Sequence, residues 1–284
     1  MSFVARGMPV QTDGISKKNF DRLASFIYDY SGIKMPPSKL TMLEGRLRRR
    51  LRATGQPSLA AYCDFLFKGD GLERETVYLI DAITTNKTDF FREPNHFAFL
   101  QRQALPDLMR RGGRSIRAWS SACSTGAEPY TMAIVLEQFS KQNGNVPYSI
   151  LATDLSTEVL ATAQRGIYAS EIVEPVPADL RQRYVMRSAI KGKDEVRIVP
   201  HLRSKVAFAR LNLMDEAYPI GDPVDLVFCR NVMIYFDKET QAAVLKRLCT
   251  CLLPGGYLFI GHSESITGFD LPLKTVANTI FQRI

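Results

Sequence analysis

Apolar residues recur at helical spacing four times in the first third of the chain, and then the rhythm changes. Phe20, Leu23, Phe26, Ile27 and Tyr30 share one face of a 3.6-residue repeat, which predicts a helix. Ser16 stands before it as an N-cap, with Asn19 where a capping box would place Glu or Gln. Gly32 closes the helix, and Pro36-Pro37 punctuate the turn. Leu40, Leu43, Leu47 and Leu51 mark a second helix ending near Gly55. A third covers Leu59 to Phe67 and a fourth Leu72 to Ile83. No strand signal interrupts them, so an all-helical domain is predicted over residues 15–83. A loose arm is expected over residues 1–14, where Gly7, Pro9 and Gly14 break any period.

After Arg92, short apolar runs alternate with helical segments. A helix over His96 to Met109 leads into the basic loop Arg110-Arg111-Gly112-Gly113-Arg114. Strands are predicted at Ser115 to Trp119, Tyr148 to Thr153, Val206 to Arg210 and Leu226 to Cys229. Another follows the Pro254-Gly255-Gly256 turn at Tyr257 to Ile260, and Val276 to Arg283 reads as a last edge strand. Helices fall at Pro129 to Lys141, Val159 to Arg165 and Lys238 to Leu252. This alternation implies parallel βαβ units. The predicted fold class is α/β over 84–284: a doubly wound, mostly parallel, Rossmann-like sheet. Tyr184-Val185-Met186 and Val196-Arg197-Ile198-Val199 flank the polar turn Lys191-Gly192-Lys193-Asp194. That hairpin signature predicts a small antiparallel β insert at about 183–205.

Composition narrows the picture. An apolar content of 45% over 284 residues supports a globular core. No run approaches the length of a membrane span, and Met1 to Gly14 lack the apolar run of a signal peptide. A soluble, cytoplasmic protein is expected. Cys63, Cys123, Cys229, Cys249 and Cys251 form no Cys-x-x-Cys pair and read as small buried fillers. His96, His201 and His262 lie far apart with no ligand spacing, so no metal site is expected. The net charge of +8 favours an anionic partner: nucleic acid, membrane surface or acidic protein. Arg46, Arg48, Arg49, Arg50 and Arg52 crowd the second helix, with Glu44 the only acid from Lys39 to Arg52. A solvated helix face is the ordinary explanation of such a run; an anionic partner is the other.

Candidate chemistry gathers at the carboxyl ends of the predicted strands, where open α/β sheets bind ligands. Ser120 to Gly126 is a run of small residues after the first strand, without the G-x-G-x-x-G spacing. Alone it reads either as a tight turn or as a cradle that a ligand approaches closely. Asp154 ends the second strand, where a carboxylate accepts ribose hydroxyls or caps the next helix. No phosphate-binding lysine follows Gly126, which argues against a Walker-type site. Asn212 follows the third strand and Arg230-Asn231 the fourth. Amides there read an adenine edge or a sugar, or bond to backbone.

Together these segments resemble the CheR-type chemotaxis receptor methyltransferases. The resemblance is carried by Thr84-Thr85-Asn86-Lys87-Thr88-Asp89-Phe90-Phe91-Arg92-Glu93, by Ser124-Thr125-Gly126-Ala127-Glu128-Pro129-Tyr130, by Asp154 and Leu211-Asn212, and by Arg230-Asn231-Val232-Met233-Ile234-Tyr235-Phe236. Gly261-His262-Ser263-Glu264 adds a further signature, and the likeness spans residues 16–284. It implies S-adenosyl-L-methionine as cofactor and S-adenosyl-L-homocysteine as product. The implied cofactor contacts are Asn86, Thr88, Arg92, Glu128, Asp154, Leu211, Asn212, Arg230 and Asn231. The implied reaction is methyl transfer to glutamate side chains of chemoreceptors. Arg92 and Tyr235 are the catalytic candidates: a guanidinium aims a carboxylate, and the tyrosine donates a hydrogen bond while its ring walls the reaction space. Arg46, Arg49, Arg50 and Arg52 become candidates for binding the receptor's acidic methylation helices. A regulatory adaptor is a further candidate partner; nucleic acid and membrane insertion are not expected, and a monomer is.

Two departures from the family pattern stand out. Ala127 replaces the first of a glutamate pair whose second member is Glu128. Ser188, Ile190 and Asp194 fall where members that dock a receptor's C-terminal pentapeptide carry glycines. Two other readings compete. A nucleic-acid methyltransferase suits the charge and fold, but the fourth strand ends Arg230-Asn231-Val232-Met233, not in an Asn/Asp-Pro-Pro-Tyr/Phe motif. A cofactor-binding signalling module without turnover is favoured by Ala127 and opposed by the retention of Arg92, Glu128, Asp154, Asn231 and Tyr235.

Overall fold

The computed structural model describes residues 13–112, 115–190 and 192–284. The arm expected over 1–14 falls almost entirely outside them, as do Gly113, Arg114 and Lys191. The chain forms two compact units. One holds the described residues up to Tyr30 together with Lys34–Ile83; the other holds Ser31–Ile33 and Thr84–Ile284.

The first unit is built from α1 (Lys17–Ser31), α2 (Leu40–Thr54), α3 (Leu59–Lys68) and α4 (Gly71–Ile83). Residues three and four apart bury together: Leu23 with Ile27, Leu43 with Leu47, Leu79 with Ile80 and Ile83. Ser58 caps α3 by accepting from the Ala61 amide at 3.1 Å, and Gly55 ends α2 in the left-handed region at φ 68°. One polar group enters this core. Glu75 is buried and accepts two hydrogen bonds from Arg50 at 3.0 and 2.8 Å, plus the Tyr62 hydroxyl at 3.1 Å. The Arg50 guanidinium also lies over the Tyr78 ring. Arg50 is expected on a partner-facing surface; the structure commits it to this bidentate pair, because among the described residues it is the cation that neutralises the buried Glu75. Arg46 donates to the Ile83 carbonyl, and Arg48 to Asp13 at 3.1 Å. Arg48, Arg49 and Arg52 are exposed on α2.

The second unit is a mixed seven-stranded sheet wrapped by helices. Its strands are β1 (Ile116–Ser120), β2 (Tyr148–Asp154), β6 (Val206–Arg210), β7 (Val224–Cys229), β8 (Leu252–Ile260), β9 (Leu273–Ala277) and β10 (Ile280–Arg283), in the order β6-β2-β1-β7-β8-β10-β9. The five from β6 to β8 are parallel; β10 and β9 add on antiparallel. Side chains alternate between two buried faces. Ala118, Phe228 and Phe259 join the core under α7 (Ala127–Gln142); Trp119, Val227 and Leu258 join the core under α11 (Lys238–Cys251). Phe228 stacks on Phe259 at 4.2 Å between ring centroids. α8 (Thr157–Arg165) follows β2.

Four local predictions change. The helix expected over His96 to Met109 is α5 (Pro94–Phe99), a π-helical segment Leu100–Ala104, and α6 (Leu105–Arg110). Pro106 supplies no amide for an i to i−4 bond, and the wider turn just before it accommodates that gap. Pro254-Gly255-Gly256 does not precede its strand but bulges within β8, where Val224 pairs Leu252 and Leu226 already pairs Tyr257. The single edge strand expected over Val276 to Arg283 is a hairpin, β9 and β10, turned at Asn278-Thr279 with Thr279 at φ 57°. The insert is three-stranded, ordered β3 (Ile167–Ala169), β5 (Glu195–Ile198), β4 (Val185–Arg187), so it begins earlier than residue 183. Tyr184 ends α9 (Ala178–Tyr184) instead of opening a strand, and the short α10 (Pro200–Arg203) leads into β6.

Asp107 ties α6 to the sheet. Its carboxylate accepts from Arg111 at 2.8 Å, the Tyr257 hydroxyl at 2.8 Å and Gln282 at 3.1 Å. Burial raises its pKa, but these donors outweigh burial and hold the carboxyl below its usual value of 3.8. A depressed carboxyl stabilises the fold above its unfolded pKa, and the gain disappears as pH falls through 3.8 and below. Asp107→Asn should therefore lower Tm at neutral pH and flatten the acid limb of a Tm-against-pH curve. An unchanged acid limb would exclude this tie as its source.

Candidate active site

The winding of the sheet reverses at β1. The chain runs outward through β2 to β6, then returns to β7 on the other side. A crevice opens at such a switch, beyond the carboxyl ends of the strands. Register keeps those ends level, since Ser120 pairs with Ala152 on one side and Phe228 on the other. A cavity of roughly 950 Å³, counting its open mouth, lies there. Its walls come from four strand ends: Ser121 and Ser124 after β1, Asp154 at the end of β2, Leu211-Asn212 after β6, Arg230-Asn231 after β7. Asn86, Thr88, Arg92, Glu128 and Tyr235 line the same space. Every predicted cofactor and catalytic residue thus lies on one cavity. Ser31 and Ile33, which periodicity assigns to the helical domain, line it too. Arg46, Arg49, Arg50 and Arg52 belong to the other unit.

The small-residue turn is pinned from several directions. The Ser121 amide donates to the Phe228 carbonyl and the Cys123 amide to the Thr153 carbonyl, both at 2.9 Å. Gly126 sits at φ 93°, and a Cβ there would come within 2.9 Å of the Ala163 Cβ and the Tyr168 hydroxyl. Only glycine fits that position without strain. Asp154 accepts from the Ser124 amide at 2.8 Å and the Ser156 amide at 3.0 Å. The N-cap alternative for Asp154 gives way, because Ser156 caps α8 through the Val159 amide.

The deepest wall is a charge cluster. The Arg230 side chain is 2% exposed and reaches Glu128 at 3.0 Å and Glu93 at 3.0 Å. It also donates to the Arg92 carbonyl. One cation therefore serves two carboxylates, and they titrate apart. Burial raises Glu93, but the Arg230 charge and the His262 amide outweigh it and hold the carboxyl at about 2. Glu128 lies deeper; burial dominates and pushes it up, against Arg230 and the Ser120 hydroxyl at 2.7 Å. Glu93 also accepts from the Asn231 side-chain amide at 3.2 Å. Asn231 takes φ 58°, held by Glu264, which accepts from the amides of Asn231 at 3.0 Å, Met233 at 2.8 Å and Gly261 at 2.6 Å. A Cβ at Gly261 would stand 2.9 Å from the Asn231 amide nitrogen, so glycine is required there as well.

Arg92 differs from Arg230. Its guanidinium donates to the Lys87 carbonyl at 3.1 Å, and among the described residues no carboxylate pairs with it. Tyr235 is half-buried on the wall. Glu93 and Glu264 escaped the sequence reading as site residues. Glu93 directly follows Arg92, and Glu264 ends the Gly261-His262-Ser263-Glu264 signature. Charge balance around a lone Arg230 at a strand end was the signal available for Glu93.

A cavity at the switch point of five parallel strands, a pinned small-residue turn after β1 and an acid ending β2 are the arrangement of doubly wound folds that bind a nucleoside cofactor. Residues 86–281 match the model of the CheR methyltransferase SAM binding domain, and residues 18–84 match that of the CheR methyltransferase all-alpha domain. The chain belongs to the CheR methyltransferase family. It is similar to the Chemotaxis protein methyltransferase 2 of Pseudomonas aeruginosa, at 37% identity over 94% of this chain and 93% of that one. It is 39% identical to the chemotaxis protein methyltransferase of Borreliella burgdorferi over 89% and 90% of the two chains. The Escherichia coli protein of that name is 37% identical over 94% and 91%.

Removing Arg230 would leave two facing carboxylates without their cation. Arg230→Ala should cost about 3–5 kcal/mol of stability in the α/β unit, read by urea unfolding. A loss below about 1 kcal/mol would mean the cluster is solvated and weak.

Proposed function

We propose that the chain transfers the methyl group of S-adenosylmethionine to glutamate carboxylates on the cytoplasmic helices of chemoreceptors. In this reading residues 84–284 form the transfer domain, and the helical domain over 15–83 meets the receptor. When bound, the cofactor supplies a sulfonium methyl, an electrophile whose leaving group departs as the neutral thioether of S-adenosylhomocysteine. Its binding falls to Asn86, Thr88, Glu128, Asp154, Leu211, Asn212, Arg230 and Asn231, which line the cavity together. The pinned turn at Ser120–Gly126 and the Asp154 carboxylate fit a nucleoside with a ribose diol.

The observation that carries the glutamate assignment is the guanidinium of Arg92. It lines the cavity and has no carboxylate of the described chain as partner. A substrate carboxylate supplies that partner. A free glutamate side chain has a pKa of about 4.3 and is ionised at neutral pH, so no strong base is required. Arg92 orients the carboxylate oxygen that attacks, and Tyr235 donates a hydrogen bond while its ring keeps water from the reacting pair. Such positioning is worth on the order of 7–11 kcal/mol in well-oriented systems. Arg92 also stands beside the cofactor contacts, so it joins the two reactants.

Arg92→Ala should lower kcat with a chemoreceptor fragment by about 100-fold or more, while the Kd for S-adenosylhomocysteine changes far less. Equal turnover in variant and wild type would remove Arg92 from the mechanism.

The net charge of +8 and the exposed Arg48, Arg49 and Arg52 on α2 favour an acidic receptor surface. The protein then works in the cytoplasm beside receptor arrays; no helix among the described residues is long and apolar enough to cross a membrane. Steering by charge weakens with screening, whose length falls from about 10 Å at 0.1 M salt to about 3 Å at 1 M. The value of kcat/KM for receptor should therefore fall steeply over that range, and Arg49→Glu with Arg52→Glu should flatten the dependence. A flat response in the wild type would count against the basic helix as a docking face.

A further inference from the structure

Behind the charge cluster, on a surface cavity separate from the cofactor cavity, two histidines distant in sequence meet. His96 is 1% exposed and His262 is exposed, and their rings lie 4.8 Å apart between centroids. Glu93 stands between them, with Oε2 3.4 Å from His96 Nδ1 and 4.0 Å from His262 Nε2.

The protons on His96 can be worked out. The Thr279 hydroxyl donates to the Asn278 carbonyl at 2.7 Å, so toward His96 it acts as an acceptor. With that proton on the Asn278 carbonyl, His96 Nε2, 2.8 Å from the hydroxyl oxygen, is the donor of the pair. The neutral ring then carries its proton on Nε2 and a lone pair on Nδ1. Nδ1 is buried, has no hydrogen-bond partner and faces a carboxylate oxygen. Two acceptors pointed at each other are unfavourable unless a cation lies between them. Arg230 is the shared partner of Glu93 and Glu128, at 3.0 Å from each. The carboxylates outnumber the arginine, which leaves negative charge for an incoming cation.

The geometry points to a divalent transition-metal site formed by His96 Nδ1, Glu93 Oε2 and His262 Nε2, whose occupation weakens cofactor binding. Two imidazoles and one carboxylate suit Zn²⁺, Co²⁺ or Ni²⁺. Donor atoms on a tetrahedral ion with bonds of about 2.0–2.1 Å stand roughly 3.3 Å apart. The His96–Glu93 separation of 3.4 Å already meets that spacing. All three donors lie within 4.8 Å of one another, and the exposed His262 side chain has room to close the remainder. The Thr279 contact is the outer hydrogen bond that orients a ligating imidazole. His96 and His262 both line a surface cavity, which gives an ion its path in and leaves room for a water ligand.

The coupling follows from the shared oxygen. Glu93 Oε2 is also the acceptor for Arg230, and Glu93 Oε1 holds the Asn231 side chain. A metal ion on Glu93 competes with Arg230 for that oxygen and loosens the loop after β7. This part rests on the methyltransferase reading of the cofactor cavity.

The test uses the full chain freed of metal by dialysis against a chelator. Zn²⁺ is titrated in competition with a chromophoric chelator, with no cofactor present. One ion per chain should bind, and His262→Ala should weaken it by at least about tenfold. His201→Ala is the control, since His201 lies 3.7 Å from Glu137 elsewhere on the surface; it should change nothing. Equal Zn²⁺ affinity in His262→Ala and wild type would overturn the site. Bound Zn²⁺ should then raise the Kd for S-adenosylhomocysteine about fivefold or more in the wild type and leave it unchanged in His262→Ala. Zn²⁺ binding without that shift would overturn the coupling. A metal-free chain that binds no S-adenosylhomocysteine would sink the cofactor reading and leave the metal result standing.

Discussion

The buried guanidinium of Arg230 is the constraint on which the site depends. It draws together three pieces of chain that share no local sequence: the loop carrying Arg92 and Glu93, the first turn of α7 with Glu128, and its own loop after β7. Taking three charges out of water is costly, and the cost is met only because nearly every donor finds an acceptor. That demand for satisfaction gives the cluster its precision. If one loop shifts, an unpaired charge is left behind. The cofactor cavity therefore inherits a rigid floor from electrostatics, where hydrophobic packing alone would have left more freedom.

The rest of the unit can be understood as arranging for that cluster to exist. The reversal of winding at β1 opens the crevice, and level strand ends bring Ser121, Asp154 and Arg230 to one height. Glu264 does for backbone what Arg230 does for carboxylates. Its side chain gathers three amides and fixes the left-handed Asn231. Against this ordered floor Arg92 is an exception, a cation that the described chain leaves without an acid. The same physics separates Arg50 from its neighbours on α2. Arg50 is half-buried and must satisfy Glu75, whereas Arg48, Arg49 and Arg52 stay exposed.

Much of this was legible in the chain because the relevant signals are local. Leucine spacing located α2, and small residues followed by an acid marked two strand ends. What escaped depends on contacts distant in sequence or on compensation within a short stretch. Asn278-Thr279 is only a two-residue polar step between Ala277 and Ile280, with no glycine or proline to mark it, so the turn was passed over. β3 has three residues, too few to show a period. The π-helical segment answers to Pro106, whose effect lies one turn upstream. His96 and His262 show no ligand spacing because the fold, and not the local chain, brings them together. Arg50 looked like its neighbours because its acid lies on another helix.

The central claim is that this cavity makes glutamate methyl esters. The most direct measurement incubates the protein with S-adenosylmethionine labelled on its methyl group and a chemoreceptor cytoplasmic fragment, then treats the receptor with alkali. The account predicts label on the receptor that alkali releases as methanol, absent when the receptor's methyl-accepting glutamates are changed to alanine. Label that resists alkali, or label on nucleic acid and not on receptor, would contradict it.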